Sequence, residues 1–567
     1  MPEPMTHLFK ISLLLLALLT CRISNALAQT QETAYLQTDR PTYVSGETLY
    51  FKLYVLDAYN LKCSTLSKVG YIELRAPKSA PTLKIRVSIS EGVASGSFVL
   101  PDSLHSDVYQ LVAFTTNMKN VGETSFFHRE IVIANRLDND LNMKTFAATD
   151  SAIHNQTDSL LQIQTNKTMY APGEKVTLRL NSAFSQANLA LSVFEEPPLD
   201  YTDKSMSRTL LDAPKTAALQ STHHMPERQY KVLRGRVLDI ATNQRIPDAI
   251  VLLSCPDTVA NLQYAVTDAN GLFQLQLSPY YDGKELFLSI KEMPSDQNWK
   301  IEVEDNFDLS SIWKPDLIAI SALSKKYLLK SQDIAYIDKT YAPKAAITVK
   351  NSLTPPFCPM LYRRPVKPVY PADFVPLDSF PEIAVELLPT IKLTKQDGAY
   401  HARTITREQQ FYGRNDVTIF LDGVYLDDIN KIIALNSEKI KKIEVIENKR
   451  VFGNIVFYGI VSIQTTSNEI LKTVPGPHSL RLRNDSVTIG KNFVVQLPPA
   501  STEAKFPFFK QLLYWNPSAA LQTDYTFPTS ENTGDYLIRV EGITLDGTPL
   551  SATTRIQVTN PQPATDQ

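Results

Sequence analysis

Apolar and polar positions alternate over Thr48–Val55 (TLYFKLYV), Ala94–Leu100 and Asp107–Phe114 (DVYQLVAF), and that period of two predicts half-buried β-strands. Further strands are predicted over Lys175–Leu180, Gly235–Asp239, Ile246–Leu253, Thr267–Leu277, Val417–Leu421, Lys442–Ile446, Gly459–Thr465, Gly534–Gly542 and Thr553–Val558. Helical patterning is rarer. Ser379–Leu393 reads as an amphipathic helix ended by Pro389 and followed by a strand, Asn430–Lys441 as a second helix-like segment, and Ser324–Tyr341 as an exposed helix with a Lys-rich face. The expected fold class is mainly β: tandem β-sandwich domains plus one small α+β domain.

One phrase occurs twice. Thr38-Asp39-Arg40-Pro41-Thr42-Tyr43-Val44-Ser45-Gly46-Glu47 returns 127 residues later as Thr165-Asn166-Lys167-Thr168-Met169-Tyr170-Ala171-Pro172-Gly173-Glu174, each followed by a strand. The Gly makes a turn and the Tyr packs at a sandwich edge, so each copy is expected to open a sandwich. The phrase is similar to the opening of macroglobulin-type domains, with Ser45 where the family has Pro. GDYLIRVEG (Gly534–Gly542) parallels DVYQLVAF, and a third macroglobulin-like sandwich is expected around it, with Phe508, Phe509, Tyr514 and Trp515 in its core.

Between the outer segments, GRVLD (Gly235–Asp239), IPDAIVLL (Ile246–Leu253) and TDANGLFQLQL (Thr267–Leu277) form strand, strand and hairpin. These words resemble the carboxypeptidase-regulatory-like domain, which implies a binding module without catalytic residues. Leu421-Asp422-Gly423-Val424, Ile440-Lys441-Lys442-Ile443-Glu444-Val445 and Tyr458–Thr465 (YGIVSIQT) resemble the plug domain of TonB-dependent outer-membrane receptors. A receptor barrel needs on the order of 22 strands of about 9–11 residues each. Only residues 469–567 follow the plug-like stretch, so it is expected to work without a barrel, docking to another envelope protein. The combination resembles Bacteroidota-type envelope proteins.

The boundaries read from these patterns are a signal peptide at 1–28, a macroglobulin-like sandwich at 29–137, and the start of a second at 158–196 running into a linker to 229. A carboxypeptidase-regulatory-like sandwich at 230–305, a helix and proline-rich linker at 306–376, a plug-like domain at 377–468 and a C-terminal sandwich at 469–560 complete the chain. The signal rests on Lys10, the apolar run Ile11–Leu19 and the A-x-A site Ala26-Leu27-Ala28. Lipidation at Cys21 is the rival reading.

A net charge of −2 with no Arg/Lys stripe argues against a nucleic-acid partner. Cys63, Cys255 and Cys358 read as free thiols, with Cys358 the most exposed. His223-His224 reads as a loop pair, and Asp422, Asp427 and Asp428 as turn and cap residues, because the spacing of a calcium loop is absent. No P-loop, G-x-S-x-G, H-E-x-x-H or thioester G-C-G-E-Q occurs. The expectation is a non-enzyme with no catalytic, cofactor or metal site and no transmembrane span, exported to the periplasm or outer membrane, whose partners are envelope proteins. The alternative is an endopeptidase inhibitor of the macroglobulin class without a thioester, its bait lying in Glu195–Gln229 or Pro343–Pro376 and its partner a protease.

Overall fold

The computed structural model describes residues 31–77, 79–138, 160–198, 205–212, 224–291, 298–307, 322–341, 361–362, 368–404, 416–473, 478–487 and 508–560. They belong to two compact units, one of residues 1–228, 309–347 and 488–567, the other of 229–308 and 348–487. The expected signal, the lipidation site Cys21, His223, Cys358 and most of the proline-rich linker lie outside the described residues.

In the first unit, β1 (Glu32–Thr38), β2 (Thr42–Val44), β3 (Thr48–Asp57), β4 (Val69–Arg75), β5 (Pro81–Ser88), β6 (Val93–Val99), β7 (Asp107–Phe114) and β8 (Phe127–Ala134) form a sandwich. Its sheets are β2-β8-β7-β4-β5 and β1-β3-β6. Tyr71, Phe114 and Phe126 stack inside it with ring centroids 5.5 and 4.4 Å apart. The chain then makes β9 (Leu161–Thr165), β10 (Met169–Tyr170), β11 (Lys175–Ser182) and β12 (Ala187–Glu195), half of a second sandwich. Helix α1 (Met206–Asp212) follows.

The second unit comes next in sequence. Strands β13 (Val232–Asp239), β14 (Ile250–Ser254), β15 (Gln263–Val266), β16 (Leu272–Gln276), β17 (Glu285–Lys291) and β18 (Trp299–Val303) build another sandwich. Helix α2 (Ala322–Tyr341) belongs to the first unit. The α+β part of the second unit holds α3 (Phe380–Leu387), the hairpin β19 (Ile391–Gln396) and β20 (Ala399–Thr404), then β21 (Thr418–Leu421), β22 (Val424–Leu426), β23 (Ile440–Ile446), β24 (Arg450–Phe452), β25 (Ile455–Phe457) and β26 (Ile460–Thr465). Its sheet order is β22-β21-β26-β23. Strand β27 (Ser479–Arg483) then pairs with β17, so the chain returns to the sandwich it had left.

The last strands, β28 (Leu512–Ala519), β29 (Asp524–Pro528), β30 (Gly534–Thr544) and β31 (Pro549–Val558), do not make a third macroglobulin-like sandwich. They complete the second, in sheets β10-β31-β30-β12-β28 and β29-β11-β9. Strand for strand this is the topology of the first sandwich, with residues 196–511 inserted between its fourth and fifth strands. The likeness of Gly534–Gly542 to Asp107–Phe114 has this cause: both are seventh strands. Tyr109 and Tyr536 occupy the same place, each hydroxyl donating at 3.0 Å to the carbonyl four residues back, His105 and Asn532. Val176, Leu178 and Leu180 of β11 interdigitate with Leu189, Leu191, Val193, Ile538 and Val540, which only the joined halves can bury. Each such side chain contributes roughly 1.5–3 kcal/mol on leaving water.

Three further expectations change. Asn430–Lys441 is no helix: 3-10 turns at Ile429–Ile432 and Ser437–Lys439 lead into β23, because Asn436 caps the second turn and the β-branched run after it extends. Helix α2 is not simply solvated. Tyr327 and Leu328 bury against Val108, Val132 and Ala134 of the first sandwich, while the lysines stay at its rim. Within Glu195–Gln229, residues 224–228 are docked on the first sandwich: Tyr71 Oη donates to Glu227 Oε1 at 3.0 Å, and the Asn120 amide pairs with both main-chain groups of His224.

Candidate interaction surface

The repeated phrase is a structural lock in both copies. Tyr43 Oη donates to Asp39 Oδ1 and Tyr170 Oη to Asn166 Oδ1, each at 2.8 Å. The same oxygens accept the Tyr50 and Thr177 N–H groups, again at 2.8 Å. Glu47 and Glu174 accept from the Val44 and Ala171 N–H groups at 2.6 and 2.9 Å and pair with Arg40 and Lys167. The phrase therefore fixes the parallel contacts of β2 with β8 and of β10 with β31.

In the second unit, the sheet β22-β21-β26-β23 alternates its side chains between two cores. Ile419, Leu421, Val461 and Ile463 face Phe380, Ile383 and Ala384 of α3. Phe420, Ile446 and Ile460, joined by Phe457 of β25, face Leu252, Ala260 and Leu262 of the neighbouring sandwich. Both faces are thus filled within the chain.

The Asp422-Gly423 turn makes that packing possible. Both residues have positive φ, +47° and +86°, the requirement of a tight two-residue hairpin. Asp422 Oδ1 accepts from the Thr465 N–H at 2.7 Å, Oδ2 from the Ile470 N–H at 3.2 Å, and both take the Thr465 hydroxyl. The carbonyls of Asp422 and Gly423 accept from the N–H groups of Asp257 and Asn261 in the sandwich loop, at 2.8 and 3.3 Å. A Cβ at Gly423 would stand 2.8 Å from Asp257 N and Val259 O, so only glycine admits this approach. Burial would raise the Asp257 carboxyl, but hydrogen bonds from Tyr280, the Thr258 N–H and Lys284 outweigh it and hold it below the ordinary range. Asp428 caps the following turn, accepting from the Asn430 N–H at 2.8 Å, and Asp427 pairs with Lys431.

Several apolar side chains of this unit stand in water, Val385 of α3 and Ile240 singly, and others in two groups. Val369 pairs main chain to main chain with Ile443 on the outer edge of β23, and the strip after it exposes Tyr370, Phe374 (53%) and Val375 (75%). The β24–β25 hairpin exposes Val451 (68%). The sequence reading missed the strip; its signal was three large apolar residues set among Pro368, Pro371 and Pro376 without strand or helix periodicity. Beside β23, Tyr362 Oη donates to Glu444 Oε2 at 3.1 Å, and burial pushes this phenol up to about 12, so it stays a donor.

Among the described residues no group of three His, Cys, Asp or Glu side chains is placed to hold a metal ion, and no helix is long and apolar enough to cross a membrane. Cys255 is buried and Cys63 half-buried, both as thiols. Trp515 is buried on β28 but, unlike Leu513 and Tyr514, is not in the second sandwich's core; Tyr514 lies against Tyr525 and Phe527, and Phe508 and Phe509 are half-buried.

No family model matches the chain, and no curated protein does. Among solved structures it is similar to alpha-2-macroglobulin from Salmonella reacted with methylamine, with TM-score 0.16 and 9% identity over 94% of this chain and 24% of that one. Trypsin-activated alpha-2-macroglobulin from Escherichia coli gives TM-score 0.16 and 10% identity over 94% of this chain and 24% of that one. The Escherichia coli protein activated by porcine elastase gives 0.23 and 9% over 94% and 44%. The chain thus spans less than half the length of each.

Proposed function

We propose that this protein is a non-enzymatic, exported scaffold of a bacterial envelope that works by protein–protein docking, with the plug-like unit of residues 377–468 and the strip that precedes it along the β23 edge as its contact. The observation that carries the reading is the exposed strip Tyr370–Val375 beside β23. The remainder of that sheet is covered on both faces within the chain, whereas three large apolar side chains here face water next to a strand edge. The motif words that resemble receptor plugs support it from another side, since they carry the turn and strand ends that hold this edge in place. The described residues of Glu195–Gln229 include α1 and the docked stretch 224–228, which favours the scaffold over a protease bait in that segment.

The test places a photo-crosslinking side chain at Phe374, at Val451 and, as a control, at the equally exposed Leu545 of the full-length protein in its own envelope. One discrete adduct from Phe374, absent from Leu545 and lost when Tyr370 and Val375 are both changed to Asp, is the expected result. Equal adducts from all three positions, or none from Phe374, would overturn the docking role.

A further inference from the structure

The first unit holds a cleft of about 710 Å³ between its two macroglobulin-like sandwiches, lined from one side by Lys52, Ser88, Ser90 and Val93–Ser95 and from the other by Ser185–Leu189, Pro517–Leu521 and Leu545. A volume of this size suits a small organic molecule. The walls carry the hydroxyls of Ser88, Ser95, Ser185 and Ser518 and the amide of Gln186, and among the described residues Lys52 is the one ionisable side chain on them.

Lys52 is 4% exposed. Its Nζ donates to Leu189 O at 3.0 Å, the one hydrogen-bond acceptor it has among the described residues, although an ammonium carries three N–H groups. It sits 4.8 Å from the Tyr54 ring centroid, and among the described residues no carboxylate lines the cleft. A buried ammonium in this setting lacks the counter-charge that burial demands. A methionine or leucine would pack β3 against β12 without that penalty, so the amine needs a reason beyond packing.

We propose that the cleft binds a small organic carboxylate, its anionic end paired with Lys52 Nζ and its remaining polar groups on the serine and glutamine side chains of the walls. A single cation with no arginine fork and no helix N-terminus matches a monoanion; a phosphate dianion would leave one charge unpaired. Burial pushes the free amine down to about 7, against a smaller opposing effect of the Cys63 thiol. Of the groups packed round it, Tyr54 and Cys63 are the titratable ones; Ala94, Ser95, Asn188, Leu189 and Ala519 carry no charge. Binding therefore takes up a proton above neutrality, and affinity falls about tenfold per pH unit once the free amine has lost its charge.

Gluconate, and gluconamide as its uncharged counterpart, serve as probes of the full-length protein labelled with ¹³C at lysine Cε. Gluconate is expected to raise the Lys52 midpoint by a pH unit or more, while gluconamide leaves it unmoved. Lys52→Met should abolish gluconate binding by calorimetry. In case that variant fails to fold, Ser95→Leu with Ser518→Leu fills the cleft and keeps the amine; there the free midpoint should stay near neutrality and its response to gluconate vanish. A midpoint that ignores gluconate, or moves equally with gluconamide, overturns the proposal, as does unchanged affinity in either variant.

Discussion

Glu195 and Gln511, 316 residues apart in sequence, are hydrogen-bonded neighbours: the Glu195 N–H donates to Gln511 O at 2.7 Å and Gln511 Nε2 to Glu195 Oε2 at 3.0 Å. Lys330 and Ser331 of α2 close the group, at 2.7 Å to Glu195 Oε1 and 2.8 Å to Gln511 Nε2. The long insertion therefore leaves and rejoins the second sandwich at one point.

It follows that residues 197–509 can be replaced by a short Gly/Asn loop with the second sandwich intact. Hydrogen exchange should show β12, β28 and β30 protected in the shortened protein. A chain that ends at residue 511 should leave β9–β12 unprotected, since their partners are missing. Protection of β12 in that truncated chain would show that the halves do not need each other.

Removing α2 by itself should weaken the first sandwich. Leu328 is fully buried against Val108, Val132 and Ala134, and Leu328→Ala should cost about 2–4 kcal/mol. Leu323→Ala on the exposed side of the same helix should stay within about 0.5 kcal/mol. Denaturant unfolding read through exchange at β8 separates the two, and equal effects would refute the docking of α2.

Asp39 gives the first sandwich an acid-side signature. Burial raises its carboxyl from the ordinary 3.8 to about 6, against the pull of Arg40 and the hydrogen bonds from Tyr43 and the Tyr50 N–H. The folded state then holds its proton after the unfolded state has released it. Its contribution is full below about pH 4 and is lost as pH rises through about 6, by on the order of 3 kcal/mol. The second sandwich already carries the neutral Asn166 at this place. Asp39→Asn should flatten the pH dependence of β3 exchange between about pH 4 and 7; an unchanged slope would mean that another group sets it.

Gly423 and Gly173 separate two costs of the same substitution. Both have positive φ, but a Cβ at Gly173 meets nothing within 4 Å, whereas one at Gly423 runs into backbone atoms of Asp257 and Val259. Gly173→Ala should cost about 1 kcal/mol and Gly423→Ala about 3 kcal/mol or more. Equal losses in thermal unfolding would show that the Asp257–Asn261 loop moves aside freely.

The mainly β architecture was legible in the sequence because burial on one sheet face writes a period of two directly into residues such as those of β3, β7 and β30. The duplicated phrase was legible for the same reason: Asp39, Tyr43 and Glu47 recur as Asn166, Tyr170 and Glu174 because each makes the same bond. What stayed hidden was which strands pair. Gly534–Gly542 carries the mark of a seventh strand, but nothing local says that its partner β12 lies beyond an insertion. The 3-10 turns at Ile429–Ile432 and Ser437–Lys439 were hidden too, since apolar spacing there imitates a helix while Asp428 and Asn436 cap short turns instead. The cleft around Lys52 could not be foreseen, because a lysine in an alternating strand looks like an outward position until a second sandwich covers it.

The insertion between β12 and β28 also sets a clock. At roughly 5–20 residues per second, a ribosome needs on the order of 15–60 s to cross residues 196–511. For that interval β9–β12 exist without β28–β31, and Leu178, Leu180, Leu191 and Val193 have no facing sheet. An unpaired half-sandwich with open strand edges is the form in which β proteins aggregate. A chain of this order therefore gains from any holding factor that keeps its early strands apart until the late ones arrive, and Leu512–Val558 is the segment whose arrival ends the wait.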